Sequence, residues 1–418
     1  MPDIQVTRID PDDEEAVAAV LAMDRLVWAD DLRTPRERAL RDTPSRAAWL
    51  ATIDGEHAGV AGSWDIEVSV PAKGGAALRP AEGLTWVGVH PDHRRRGVLR
   101  ALMLEHLRWT REDQGRALAA LNASEASIYG RFGYGVASTE LMTTFAGGTT
   151  FTAPESVEEL AAATTTRMTT AGPEHAERLH ALVRESGRTA VGTVVRTVED
   201  YARVLTDIPE TRGNREPFRL LWATRDGRDV GCAWFHRTPK WKRGAADGRL
   251  EVITAVDTDA GAQLAIARRL TSFDLMAHVD HWVAPDDRLV LWQGTQRPIG
   301  KGITDDLWAR VVDLPQAVAE RGHAADVDVT VRVHDETLSA NAGTWRWVAR
   351  DGVGELDRHD GEADLELDVA ELGAVWLGGQ TLGARARAGF VTEHRPGAVA
   401  ALDAALRTPA GPVATLGF

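Results

Sequence analysis

Cysteine and long apolar runs are scarce in this chain of 418 residues. The one cysteine, Cys232, cannot form an internal disulfide, and its apolar neighbours indicate a buried small side chain. No apolar run approaches the ~20 residues that cross a bilayer, and the acidic N-terminal segment lacks the apolar stretch of a secretory signal. We therefore expect a cytoplasmic protein without a membrane span.

Positive charge is also in deficit, since 62 acidic residues outnumber 48 lysines and arginines and leave a net charge of −14. This balance argues against nucleic acid as a partner, because phosphate binding needs a basic face. It suits a cationic substrate, although solubility alone also explains it. His90 and His93 have no carboxylate or cysteine set around them, so we expect no metal site.

The most informative segment runs from Leu84 to Gly135. It opens with an alternating strand that ends at Pro91, and a helix-spaced apolar pattern follows from Val98. The turn between them contains three arginines and Gly97. A helix start presents free N–H groups, and glycine lets the backbone approach a ligand. This pattern therefore predicts a binding site for a diphosphate. A surface arginine run that caps a helix is the alternative.

Two motifs in this segment resemble the GNAT acyltransferase superfamily. Arg94-x-x-Gly97 fits its Gln/Arg-x-x-Gly-x-Gly/Ala acetyl-CoA loop, except that Leu99 stands at the last position. In the later run IYGRFGYG, Tyr129 falls on a tyrosine that GNAT proteins carry on a short helix. Together the two motifs resemble, more narrowly, the Enhanced intracellular survival (Eis) acetyltransferases of actinobacteria.

An internal repeat supports a second copy of the fold. Hairpins with an Asp-Gly turn occur at Asp54-Gly55 and again at Asp226-Gly227, and a strand and helix follow each. The second copy has Asp257-Thr-Asp-Ala-Gly261 where the first has the arginines, and acidic groups repel a diphosphate. We expect an α/β (α+β) protein with two tandem GNAT folds, the second without a cofactor loop.

The remaining segment mixes short strands and helices, which suits the sterol-carrier-protein-like domain that the resemblance implies. Helical spacing is assigned to Asp305–Ala309 and Pro315–Arg321. A packed core is favoured over a tunnel for an apolar ligand. We expect a catalytic GNAT domain at 1–150, a degenerate GNAT-like domain at 151–295 and the sterol-carrier-like domain at 296–418.

The resemblance implies an acetyl-CoA-dependent N-acetyltransferase that acts on aminoglycosides at several amines, or on lysine side chains of peptides, and that forms a homohexamer. It also implies catalytic roles for Tyr129 as acid and for the C-terminal carboxylate of Phe418 as base. The alternative for Phe418 is a tail docked on the core with its carboxylate in water. The alternative for the whole chain is an acyl-CoA-binding or scaffold protein without turnover.

Further site residues are expected around the cofactor and the acceptor. The arginines and the helix start hold the diphosphate, the strand before them offers backbone N–H groups to the thioester carbonyl, and two polar residues meet the pantetheine arm. The expected cofactor residues are Val87, Gly88, Val89, Arg94, Arg95, Arg96, Gly97, Val98, Leu99, Asn122 and Ser124. Asp24 and Trp28 are expected to wall the acceptor side, unless they form only a solvated helix end.

Overall fold

The computed structural model describes residues 3–29, 46–209, 212–293, 300–415 and 417. Its strands are β1 (Ile4–Arg8), β2 (Ala47–Ile53), β3 (Glu56–Ala72), β4 (Gly75–Val89), β5 (Leu118–Asn122), β6 (Gly135–Val136), β7 (Thr139–Ala146), β8 (Thr165–Thr170), β9 (Val194–Arg196), β10 (Arg219–Arg225), β11 (Arg228–Thr238), β12 (Trp241–Lys242), β13 (Ala245–Ala246), β14 (Gly248–Asp257), β15 (Met276–Val283), β16 (Gly300–Asp305), β17 (Leu307–Val311), β18 (Val327–His334), β19 (Gly343–Arg350), β20 (Val353–Arg358), β21 (Leu365–Asp368) and β22 (Val391–Glu393).

The helices lie between and over these strands. They are α1 (Glu14–Trp28), α2 (Val98–Arg108), α3 (Glu155–Ala162), α4 (Ala176–Ser186), α5 (Val198–Leu205), α6 (Ala260–Thr271), α7 (Arg288–Gln293), α8 (Leu314–Glu320), α9 (Val369–Val375), α10 (Leu382–Arg387) and α11 (Ala398–Leu406). Within the described ranges, no helix combines the length and the apolar character needed to cross a membrane.

The first sheet has the strand order β1-β2-β3-β4-β5-β17-β6, and β9 pairs with β3. Its neighbours β4 and β5 run parallel and pair only from Ala81 opposite Leu118 to Gly83 opposite Ala120. Beyond that point the two strands separate. The register of β4 against β3 also shifts between Val60 and Gly62, where Trp86 has a φ of 53°. The bulge and the separation open a slot at the C-terminal end of β4.

Helix α2 follows this slot, and its apolar stripe packs on the sheet as the spacing predicts. Leu102, Met103 and Leu107 are buried there. Leu99, predicted on the same stripe, is half-buried and lies at the slot. The helix therefore presents its buried stripe to the core and its first turn to the opening.

The second sheet has the order β16-β7-β15-β14-β11-β10-β8. It repeats the plan of the first, since β10 and β11 form the predicted hairpin and β14, α6 and β15 follow as a parallel crossover. Asp54 and Asp226 have φ values of 53° and 51°, and each precedes a glycine with positive φ, so the same turn closes both hairpins. The tandem GNAT fold is therefore confirmed.

The two sheets exchange strands. β7 joins the second sheet although it precedes residue 150, and β17 joins the first sheet although it follows residue 295. The helical spacing assigned to Asp305–Ala309 is wrong, because this segment enters β17, which is buried along its length between β5 and β6. The predicted domain limits near residues 150 and 295 therefore stay a proposal. They divide the sequence into segments, whereas each sheet takes strands from both sides of a limit.

The third sheet has the order β20-β19-β18-β21-β22 and is covered by α9, α10 and α11. Trp345, Trp347 and Trp376 fill its core. Helix α9 also reaches the first sheet, where Gly135 and Gly373 leave no room for a side chain: an added Cβ at Gly135 would lie 2.1 Å from the Ala370 carbonyl oxygen. The third segment is therefore packed directly on the strand that follows the tyrosine motif.

Candidate active site

A cleft of about 750 Å³ opens where β4 and β5 separate. Its walls come from the end of α1, the end of β4, the turn before α2, the first turn of α2 and the segment from Ser124 to Phe132. The predicted site residues that line it are Trp28, Val87, Gly88, Val89, Arg94, Arg95, Gly97, Val98, Leu99, Ser124 and Tyr129. The fold thus gathers most of the predicted cofactor residues around one opening.

The end of β4 offers a backbone donor to this cleft. The His90 N–H donates to the Ala58 carbonyl oxygen at 2.9 Å, so His90 and Gly88 point their polar backbone groups at β3. In an antiparallel ladder the direction alternates, which turns the N–H of Val89 away from β3 and towards the opening. Gly88 has a packing role as well, because an added Cβ would lie 2.8 Å from the Val27 side chain of α1.

The start of α2 is an open helix terminus. Its N-cap, Gly97, has a φ of 99° and supplies no side-chain cap, and Arg95 before it has a φ of 60°. The first N–H groups of the helix therefore lack a side-chain acceptor from the cap and face the cleft with Arg94 and Arg95 at their side. Such a terminus attracts anions through its free donors and the helix dipole.

Arg96 differs from its two neighbours. Its guanidinium donates to Asp54 Oδ2 at 3.0 Å and lies 3.0 Å from His93 Nδ1, on the side of the β2–β3 turn. That Arg96 holds the diphosphate together with Arg94 and Arg95 stays a prediction. Arg96 ties the turn before α2 to the neighbouring hairpin, because successive side chains of a turn cannot all point the same way.

Tyr129 lies on the cleft wall between two short 3₁₀ turns, Ala126–Ile128 and Gly130–Phe132. Its side chain is 7% exposed, and its ring centroid lies 6.5 Å from that of Trp308. Burial, together with the nearby Glu125 carboxylate, raises the pKa of Tyr129 to about 12. The phenol therefore keeps its proton at neutral pH and can donate it.

Asn122 ends β5 and turns its amide nitrogen to the start of β17, and its expected contact with the pantetheine arm stays a prediction. Its Nδ2 donates to the Asp306 carbonyl oxygen at 3.0 Å and lies 3.3 Å from Asp306 Oδ1. The C-terminal tail reaches the same point, since a Cβ added to Gly417 would lie 3.6 Å from Asn122 Oδ1. Phe418, whose carboxylate is the predicted base, lies outside the described residues, as does Leu416.

Two carboxyl groups that the sequence did not single out lie near this point. Burial and the neighbouring Asp306 and Asp305 carboxylates raise the pKa of Glu140 to about 7, and burial also raises the pKa of Asp306. Glu140 is on β7 and Asp306 joins β16 to β17, so more than 160 residues separate them in sequence. Only the exchange of strands brings them together, and no local motif signals it.

The acceptor residues predicted on α1 are only partly described. Trp28 is 49% exposed and stands at the cleft wall, whereas Asp24 is half-buried one helical turn earlier. The residues that follow, from 30 to 45, lie outside the described ranges.

In the second GNAT copy, a side chain of the chain itself caps the start of helix α6. Asp259 caps α6 by accepting from the Ala262 N–H at 3.0 Å, and it also pairs with Arg225. Asp257 pairs with Arg288 at 2.7 Å. A carboxylate of the chain therefore occupies the position at which an anion would bind, and the absence of a cofactor loop from the second copy stays a prediction.

Comparisons with known proteins agree with this architecture. Residues 8–137 match the family model "Acetyltransferase (GNAT) domain", and residues 314–414 match "Sterol carrier protein domain". An uncharacterized N-acetyltransferase of Streptomyces avermitilis is 33% identical over 86% of each chain. The N-acetyltransferase Eis of Mycobacterium tuberculosis is 30% identical over 77% of this chain and 76% of its own. The crystal structure of Eis1 from Mycobacterium abscessus superposes over the whole of both chains with a TM-score of 0.79 and 27% identity.

Proposed function

Because the chain belongs to the Eis family of GNAT-type N-acetyltransferases, and is therefore an acyltransferase, we propose that it transfers acetyl from acetyl-CoA to amines of cationic acceptors. The observation that carries this proposal is the cleft in which an open helix terminus, a free backbone donor and a protonated phenol meet beside the returning C-terminal tail. Each of these groups has a task in acetyl transfer.

The cofactor binds in this proposal through the turn and the first turn of α2. The backbone from Gly97 to Leu99, with the guanidinium groups of Arg94 and Arg95, holds the diphosphate. The pantetheine arm follows the slot between β4 and β5 past Ser124. The N–H of Val89 donates to the thioester carbonyl oxygen and stabilises the negative charge that grows on it during attack.

Proton transfers at the acceptor nitrogen and at the sulfur complete the reaction. An acceptor ammonium has a pKa near 10.4, so a base must take a proton before nitrogen attacks the carbonyl carbon. We assign that base to the C-terminal carboxylate of Phe418, whose pKa of about 3.5 when free would rise with burial. As the carbon–sulfur bond breaks, Tyr129 donates a proton to the sulfur, and CoA leaves as the thiol. The nitrogen of the new amide then loses its extra proton, and a proton returns to the Tyr129 phenolate.

The acceptor proposed is an aminoglycoside, acetylated at several amines, or a lysine side chain of a peptide. The carboxylates of Asp305, Asp306 and Glu140 near the tail, and the net charge of −14, suit such polycations. Asp24 and Trp28 are proposed to contact the acceptor from α1. Acetylation of an aminoglycoside antibiotic would confer resistance to it. A cytoplasmic location and a homohexameric assembly are part of the same proposal.

The test measures thiol release from acetyl-CoA with a panel of aminoglycosides and lysine peptides. We expect release with polycationic acceptors and none with neutral amines of similar size. A chain that releases no thiol with any member of the panel would contradict the proposed function.

A semisynthetic chain tests the base separately. Ligation of a C-terminal peptide gives one chain that ends in Phe418 amide and a matched chain that ends in the free acid. The amide cannot accept a proton at neutral pH, so we expect its kcat to fall by about 100-fold while its KM for acetyl-CoA stays within twofold. Equal turnover of amide and acid would falsify the base assignment.

A further inference from the structure

The C-terminal tail follows a defined path to the cleft. The Val413 N–H donates to the Val191 carbonyl oxygen at 3.0 Å, and further on the Thr415 hydroxyl donates to the Val194 carbonyl oxygen at 2.9 Å. The same hydroxyl accepts from the Val194 N–H at 3.2 Å. Gly192, with a φ of 91°, makes room for this path, because an added Cβ would lie 2.8 Å from the Val413 nitrogen.

Thr415 makes these contacts in a buried setting. Its side chain is 8% exposed, and its hydroxyl uses both its donor and an acceptor position on one residue of β9. Since β9 pairs with β3 of the first sheet, Thr415 ties the tail to the body of the catalytic segment. Beyond it only three residues remain, Leu416 to Phe418.

A second contact lies one residue earlier. The Ala414 N–H donates to Asp306 Oδ2 at 3.4 Å, and the Ser138 hydroxyl donates to the same oxygen at 2.8 Å. Asp306 and Ser138 mark two of the places where the chain passes from one sheet to the other. The tail is therefore held at the junction of the two sheets, next to Asn122 and the end of β5.

We propose that Thr415 is a positioning residue that fixes the chain terminus so that its carboxylate stays within reach of the thioester. This inference rests on the proposed function, in which that carboxylate is the base. A residue spans at most about 3.5 Å, so the terminus reaches about 10 Å from Thr415 but about 14 Å from Ala414, the next hydrogen-bonded position. The accessible volume grows about 2.5-fold with the longer reach, and the local concentration of the base falls by the same factor.

The experiment compares Thr415→Val, which keeps the shape of the side chain and removes its hydroxyl, with two other variants. Thr415→Ser restores the hydroxyl. Thr408→Val is the matched control in the same segment, because the Thr408 hydroxyl donates only locally to the Ala410 carbonyl oxygen. Melting curves verify that all variants fold.

Two measurements are made on each variant. We expect Thr415→Val to lower kcat about two- to threefold with KM for acetyl-CoA unchanged, and Thr415→Ser and Thr408→Val to match the wild type. The second measurement is the rate at which a carboxypeptidase releases Phe418, which needs no activity. We expect this rate to rise at least fivefold in Thr415→Val alone, because a released tail enters the protease.

The outcomes separate the two proposals. If Thr415→Val and Thr408→Val have the same kcat and release Phe418 at the same rate, the positioning role of Thr415 is overturned. This holds even when the wild type is active and the chain that ends in Phe418 amide is inactive. If the amide chain is as active as the acid, the base assignment fails, and faster release of Phe418 from Thr415→Val would then show an anchor without a catalytic purpose.

Discussion

Tyr129 shows how one side chain acquires a role from its surroundings. The three tyrosines of the chain are all buried, and burial raises the pKa of each. Tyr129 alone among them lines the cleft, whereas the hydroxyl of Tyr134, whose ring centroid lies 6.2 Å away, is buried without a hydrogen-bond partner among the described residues. Tyr134 therefore provides an internal control for substitutions of Tyr129.

We expect Tyr129→Phe to lower kcat by about 100-fold or more, because no other phenol is placed to protonate the leaving sulfur. The Kd for acetyl-CoA, measured by calorimetry, should stay within twofold. Tyr134→Phe, the matched control, should leave kcat unchanged. Since the phenol of Tyr129 ionises at about pH 12, its ionisation should not reduce kcat below about pH 11. Equal kcat for the two variants would contradict the role of Tyr129.

At the scale of an element, the N-terminus of helix α2 is the part that is proposed to bind the cofactor. Among the described helices, two begin in the same way, since Gly97 before α2 and Gly397 before α11 have φ values of 99° and 88° and neither supplies a side-chain cap. Only the first of these termini opens into the cleft. The same backbone conformation therefore faces the proposed cofactor site in one place and solvent in the other.

Alanine at either glycine should cost about 1–2 kcal/mol of stability, because a Cβ disfavours positive φ. We expect Gly97→Ala to raise the Kd for acetyl-CoA at least tenfold, since a side chain disfavours the φ of 99° and would shift the first N–H groups of α2, which are proposed to hold the diphosphate. Gly397→Ala should leave that Kd unchanged. Calorimetric titration of both variants measures the difference, and a shared Kd would show that the α2 terminus does not hold the cofactor.

At the scale of the whole molecule, the segments are joined by more than linkers. The first two sheets exchange β7 and β17, and the third segment packs α9 on Gly135 of the first sheet. Arg310 on β17 is fully buried and pairs with Asp335 of the third segment at 2.7 Å. These contacts pack the third segment on the first sheet, and its tail reaches Asp306 and Asn122 at the end of β5.

We expect Gly135→Ala to lower the melting temperature by about 2–4 °C, because its Cβ would overlap the backbone of α9 and force the interface apart. Gly130→Ala is the matched control from the same motif, since an added Cβ there meets nothing within 4 Å. Scanning calorimetry compares the two. Equal melting temperatures would mean that α9 does not depend on close approach at Gly135.

Motifs whose parts lie close in sequence were predictable. The turn before α2, the motif around Tyr129 and the Asp-Gly hairpins are local, so backbone preferences and helix spacing suffice to identify them. The same reasoning failed for the start of β17, because a short apolar run fits a helix or a buried strand equally well. It also could not direct the Arg96 side chain, which depends on Asp54 in another hairpin.

The sequence by itself determined the fold family, and it supplied the proposals of a cofactor loop before α2, of its absence from the second copy and of a catalytic Tyr129. Only the tertiary structure decided the exchange of strands, the convergence of Asn122, Asp306 and Glu140, and the path of the tail past Thr415. The physical reason is range: turns and helix starts follow from the preferences of a few neighbouring residues. Contacts between residues more than 100 positions apart follow from which surfaces the whole chain buries together.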